Sequence, residues 1–190
     1  MMEGKTTRHL PILLLLILAA AASRLLPHWP NFGPVGAMAL FGAAVFTRRW
    51  MALLVPFAAL YLSDLALNNL LYSQYYDGFY WGFNAWVYVG FLVTILLGFG
   101  LLRGRDFSWL RVGGATLGGT LIFFLVTNFG VWLGSTMYPQ TGTGLLAAYA
   151  AGLPFLLNSL AGNVLFAGLL FGGARFLADR PVSAAARERA

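Results

Sequence analysis

The chain has 190 residues, 59% of them hydrophobic and 9% charged, where ordinary soluble domains carry about 25% charged residues. So few charges cannot cover a water-facing surface, and a mean hydropathy of +0.75 spread along the whole length excludes a soluble domain held by a single anchor. A formal charge of +6 does not point to nucleic acid, because the basic residues stand singly or in pairs between apolar runs, and the absence of cysteine excludes disulfides, thiolate metal sites and Cys nucleophiles.

A membrane-crossing helix needs about 20 mostly apolar residues, and that length selects six candidates in chain order. The first is 10–27. Its start, with Lys5, Arg8, the Leu10 to Leu18 run and Ala20 to Ala22, also has the layout of a cleavable secretory signal, whose loss would leave five spans in the same orientation. Prolines and glycines in Pro27-His28-Trp29-Pro30-Asn31-Phe32-Gly33-Pro34 then forbid a continuous helix. The second candidate, 33–47, is short and rich in Gly and Ala, a composition that lets backbones approach closely. The others are 50–67, 84–102, 112–133 and 153–176, and the polar stretch 179–190 reads as a tail. The expected fold is an all-α, polytopic membrane helix bundle of six transmembrane helices, forming one domain over 1–178 in the lipid bilayer.

Charge tests this division independently, because Lys and Arg accumulate in cytoplasmic loops. Lys5 and Arg8 precede the first span, Arg48 and Arg49 the third, and Arg103, Arg105 and Arg111 separate the fourth from the fifth. Arg175, Arg180, Arg187 and Arg189 close the chain, leaving only Arg24 for the other side. The loops 68–83 and 134–152 hold no Lys or Arg. Both termini are therefore expected inside.

Polar side chains at membrane depth usually face the bundle interior or a wet cavity. On this topology Arg24, Ser63, Asp64, Asn68, Asn84, Thr127, Asn128 and Asn158 fall in the outer halves of their helices, with Asn163 the deepest exception. The uncharged outer loops add Tyr76, Tyr80, Trp81 and Trp132. The pattern predicts an outward-facing pocket lined by Arg24, His28, Asn31, Asp64, Asn68, Tyr76, Tyr80, Trp81, Asn84, Asn128, Trp132 and Asn158. For the aromatics the alternative is an interfacial belt; for Asn128 it is helix-to-helix hydrogen bonding; for His28, an interface residue or a metal ligand. Arg24 and Asp64 lie equally far into the first and third spans, about 21 Å at ~1.5 Å per residue, and are expected to pair. Arg24 snorkelling to headgroups while Asp64 faces water is the competing arrangement.

No catalytic motif is present. Gly134-Ser135 lacks the spacing of a nucleophile elbow, and no zinc-binding His-Glu-x-x-His or phosphate-cradling loop occurs. The chain is accordingly expected to be no enzyme, to hold no metal or cofactor, and to depend on a partner for any ATP hydrolysis.

The run Pro30-Asn31-Phe32-Gly33-Pro34-Val35-Gly36-Ala37-Met38-Ala39-Leu40-Phe41-Gly42, the step Leu62-Ser63-Asp64-Leu65, the loop Tyr75-Tyr76-Asp77-Gly78-Phe79 and Thr127-Asn128-Phe129-Gly130-Val131-Trp132 with Tyr138-Pro139 resemble a family of uncharacterised bacterial inner-membrane proteins over nearly the whole chain. In size and six-helix layout the chain is also similar, more distantly, to the substrate-binding S components of energy-coupling-factor vitamin transporters. That resemblance implies an outward-facing vitamin pocket and docking on a transmembrane partner energised by ATPases, through an Ala-x-x-x-Ala on the first helix. Here that position reads Ala19-x-x-x-Ser23, and Ala-x-x-x-Ala occurs instead at Ala39 to Ala43, Ala147 to Ala151 and Ala174 to Ala178. The expected function is S-component-like binding and uptake of a small uncharged or zwitterionic solute at the bacterial inner membrane. The alternatives are a proton- or ion-coupled transporter or channel using Asp64, and a structural or assembly factor without a ligand.

Overall fold

A computed structural model describes residues 3–178, with side chains from Leu10 to Phe176. The described residues are all-α: α1 (Glu3–Ser23), α2 (Val35–Val45), α3 (Arg49–Ala66), α4 (Ala85–Leu101), α5 (Trp109–Gly134) and α6 (Gly142–Ala178). Arg180, Arg187, Arg189 and the expected tail 179–190 lie outside the described residues, as do the side chains of Lys5 and Arg8.

Arg49–Leu71 (α3 with a π-helical extension), Trp109–Gly134 and Gly142–Phe176 are long and apolar enough to cross a membrane, whereas Leu10–Ser23, Val35–Val45 and Ala85–Leu101 are shorter apolar helices. Large aliphatic side chains stay on the outside of the bundle, among them Leu15 (64% exposed), Leu110 (87%) and Leu157 (69%). Water does not tolerate such a surface in bulk, and hydrocarbon does. The chain is a membrane protein.

The second expected span is reduced to a half-helix. The 11 residues of α2 rise about 16 Å at ~1.5 Å per residue, roughly half a ~30 Å hydrocarbon layer, because Pro27, Pro30 and Pro34 hold the preceding chain out of helix. This half-helix is nonetheless the hub: Gly36 to Ala43 are buried without a break, and α2 touches each of the five other helices. Its small residues permit that. A Cβ on Gly98 of α4 would stand 2.7 Å from Ala43 Cβ, so only glycine allows the two backbones this close. Larger side chains fill the remainder, with Phe41 edge-on to Phe171 at 5.2 Å and Phe57 edge-on to Phe91 at 5.0 Å.

Two other boundaries move. The last helix begins at Gly142, well before the expected 153, and runs through Pro154, so the loop expected at 134–152 shrinks to 135–141. The third helix continues beyond Ala66 as the π-helical turn Leu67–Leu71, closed by a hydrogen bond from Tyr72 N to Leu67 O at 3.0 Å.

The bundle has two chemically distinct ends. At one, Arg103 Nη2 donates to Thr47 O and the Arg175 guanidinium lies 4.9 Å over the Phe107 ring, bringing together the α2–α3 loop, the α4–α5 loop and the end of α6. Arg48, Arg49, Arg105 and Arg111 belong to the same end. Among the described residues only Arg24 stands at the other.

Candidate functional site

The α1 helix stops at Ser23, and the next side chain, Arg24, reaches across to the last turns of α3. Arg24 Nη2 meets Asp64 Oδ1 at 2.6 Å, with both side chains 15% exposed. Arg24 Nη1 donates to Ser63 Oγ and, at 3.4 Å, to Leu60 O, a carbonyl also bonded by Ser63 Oγ. The second carboxylate oxygen, Oδ2, accepts the Tyr88 hydroxyl of α4 at 2.8 Å. Both oxygens of Asp64 are thus engaged, one by Arg24 and one by Tyr88, and the cluster joins the end of α1 to α3 and α4. The equal ascent of the two charged residues predicted this pair, and snorkelling is not what Arg24 does here.

A cap of aromatic loop stands beside the pair. Asn69, inside the π-helical turn, donates to Tyr80 O at 3.0 Å and accepts from Tyr80 N at 2.7 Å, pinning the loop back onto the helix. Tyr61 Oη donates to Trp81 O at 3.2 Å, and Phe83 packs on Tyr88 at 4.8 Å. Within the loop Tyr76 and Tyr80 stack on each other at 3.9 Å and Phe79 leans on Trp81 at 4.5 Å. Tyr76 and Tyr80 therefore spend a face each on one another, while Trp81 remains 66% exposed. Asn84 caps α4 by accepting Trp86 N at 3.1 Å, a backbone role. Asn68 makes no side-chain hydrogen bond among the described residues.

The segment between α1 and α2 is held from α6. Asn158 Nδ2 donates to Pro30 O at 2.9 Å and Ser159 Oγ to Asn31 O at 3.1 Å. One turn further along, Asn163 Oδ1 accepts Ala37 N at 3.1 Å and its Nδ2 donates to Thr120 Oγ1 at 3.0 Å. Irregular backbone at membrane depth persists only where protein or enclosed water satisfies it, and this set of polar side chains does so. Asn31 sits at φ 61°, a left-handed conformation that Asn adopts more readily than most residues. Close approach completes the clamp: a Cβ on Gly162 would lie 2.5 Å from Gly33 N, and one on Gly36 2.8 Å from Asn163 Nδ2. Asn31 and Asn158 are therefore brought together, as parts of a broken-helix joint.

Asn128 and Trp132 lie apart from both groups. Asn128 Nδ2 bonds back to Phe124 O of its own helix at 2.9 Å, and its Oδ1 packs against Gly152 of α6, so its contact with the neighbouring helix is close packing and not the expected hydrogen bond. Trp132 Nε1 donates to Pro139 O at 2.9 Å and folds the short α5–α6 loop onto itself. His28 Nε2 is 3.3 Å from Arg24 O and Nδ1 2.8 Å from Trp29 O, so the histidine is tied to backbone beside the ion pair. Pro27, His28, Trp29 and Phe32 line an open depression of about 500 Å3. No group of three or more metal-ligating side chains occurs among the described residues.

Reasoning from sequence missed Tyr88, Asn69 and Ser159. Tyr88 carries the only hydroxyl or charge in the first two turns of α4, a usable signal. Asn69 was hidden by the helix itself: Asp64 and Asn68 share a face at a spacing of four only while the helix stays α, and the π-helical turn shifts that register.

The family described as a family of unknown function (DUF6580) matches residues 4–185. The chain belongs to it. Neither the curated proteins nor the solved structures contain a match. For this DUF6580 member the geometry above is therefore the source of any functional reading.

Proposed function

We propose that the chain crosses a bacterial inner membrane six times with both termini inside, and that it binds and takes up a small, uncharged or zwitterionic organic solute, in the manner of an S component. Counting α2 together with its irregular lead-in as one crossing supports the even number. The segregation of Arg48, Arg49, Arg103, Arg105, Arg111 and Arg175 at one end supports the orientation, since short cytoplasmic loops collect Lys and Arg.

The observation that carries the solute reading is the Arg24–Asp64 pair, set at the end poor in cations, beside an aromatic loop and an open depression. A charged pair in the outer half of a bundle offers both halves of a zwitterion a partner, and aromatic rings beside it supply apolar contact. Ion coupling through Asp64 is the weaker reading, because a lone cation would have to displace Arg24 or Tyr88 from a carboxylate whose two oxygens both have partners, whereas a zwitterion supplies replacement partners for Arg24 and Asp64 together. An ATPase-driven transmembrane module remains the proposed source of energy.

The test is a thermal-shift screen of detergent-solubilised protein against vitamins, their precursors and amino acids, followed by uptake of any hit into proteoliposomes. A ligand that binds only the native state raises its stability by RT ln(1 + [L]/Kd), about 2.7 kcal/mol at a hundredfold excess over Kd. A stabilising zwitterion whose effect vanishes in Asp64→Asn supports the proposal. Proton flux into liposomes lost in the same variant, without any stabilising solute, supports ion coupling instead.

A further inference from the structure

The end of the bundle opposite the ion pair carries a second polar surface that uptake does not use. Arg48 and Arg49 lie on the α2–α3 turn, Arg105 and Arg111 on the α4–α5 connection and first turn of α5, and Arg175 on the last turn of α6; all five are exposed. Arg103 is drawn inward, with Nη2 on Thr47 O and the guanidinium 5.1 Å over the Phe99 ring. Its Nη1 is shut off from water and has no hydrogen-bond partner among the described residues. The only acidic side chain described at this end is Asp106, whose backbone carbonyl accepts Arg111 Nη1 at 2.8 Å.

Aromatic rings stand at the same level: Trp50 is 55% exposed, Trp109 52% and Phe107 39%, and Phe107 packs edge-on to Trp109 at 4.9 Å. Exposed tryptophans beside arginines mark the headgroup layer, where an indole sits between hydrocarbon and water. Lipid headgroups therefore lie within reach of Arg48 and Arg105.

We propose that this arginine surface, centred where Arg103 bridges the α2–α3 and α4–α5 loops and flanked by Arg48 and Arg105, seats the phosphate of an anionic phospholipid. Guanidinium groups bind phosphate oxygens through paired, charge-assisted N–H donors, and basic seats between helices on the cytoplasmic side take anionic headgroups. Arg48 and Arg105, both exposed, reach the phosphate directly, while Arg103 holds together the two loops that carry them. The phosphodiester stays in its membrane, its chains against Leu110, 87% exposed in the first turn of α5.

The experiment is native mass spectrometry of the full chain released from mixed phosphatidylglycerol and phosphatidylcholine nanodiscs, with thermal stability read in parallel. Arg48→Gln with Arg105→Gln is the decisive variant, because neither side chain makes a hydrogen bond or ion pair among the described residues, and the backbone bonds of both positions survive the substitution. Arg111→Gln, whose guanidinium is turned back on Asp106, serves as control. Wild type should retain phosphatidylglycerol selectively, and the double variant should lose retention by roughly fivefold per arginine removed, with the control close to wild type. Equal retention of the two lipids, or undiminished phosphatidylglycerol in the double variant, overturns the proposal. So does an equal thermal shift from inorganic phosphate alone, which would mark a free-anion site.

Discussion

Asp64 is the residue on which the far end of the bundle turns. A lone charge among apolar helices is costly and is usually paired, so Arg24, just past the end of α1, and Asp64, in the last turn of α3, each give the other a reason to be there. Removing one member of such a buried pair is strongly destabilising, by about 3–5 kcal/mol. Arg24→Asp and Asp64→Arg should each lower the detergent melting temperature, and the double exchange should recover most of the loss; additive damage would mean that the two act independently. Tyr88→Phe tests the third partner. It deletes one hydrogen bond to a charged acceptor, worth about 1.5–3 kcal/mol, and should be milder than either charge reversal by the same measurement.

Among the elements, α2 is the least conventional and the most constrained. Its joint to α6 relies on a glycine at 162, where any side chain meets the backbone of Gly33. Gly162→Ala should destabilise by about 1–3 kcal/mol through overpacking, measured by thermal unfolding. Gly168→Ala, six residues further along α6 with nothing within 4 Å of the added methyl, should be neutral or slightly stabilising, since alanine is the better helix former. Equal effects of the two would detach the loss from the joint.

Sequence reasoning reached this element unevenly, for physical reasons. The proline-rich lead-in and small-residue run announced a short, tightly packed helix, and the rise per residue placed Arg24 level with Asp64. Asn158 and Asn163 were visible as polar residues in an apolar helix, but Asn158 bonds the backbone of Pro30 and Asn163 that of Ala37 beside its bond to Thr120, and backbone groups carry no side-chain signature. The start of α6 was expected at 153, yet the helix begins at Gly142 and runs on through Pro154, with Gly152 admitting Asn128.

At the scale of the whole molecule, the opposed ends make orientation testable. A reporter active only outside the cytoplasm should work when inserted at 76–80 or beside Met137 and fail at residue 106, in the loop that holds Arg103 and Arg105. Activity at 106 would overturn the six-crossing arrangement, because with short loops the basic residues set orientation.

The clamp on the broken helix also has a consequence in time. Pro30 O waits for Asn158, and Asn31 O for Ser159, each 128 residues later in the chain. At about 5–20 residues per second a ribosome needs roughly 6–25 s to cover that distance, during which the opening third of the protein has its irregular backbone unclosed. Neither α2 nor its lead-in can settle as an early, self-sufficient insertion, so the opening third of the chain is finished by the last helix to arrive. A nascent chain arrested just before Asn158 should leave the 24–34 segment open to protease or alkylating probes, and one arrested with α6 fully inserted should close it.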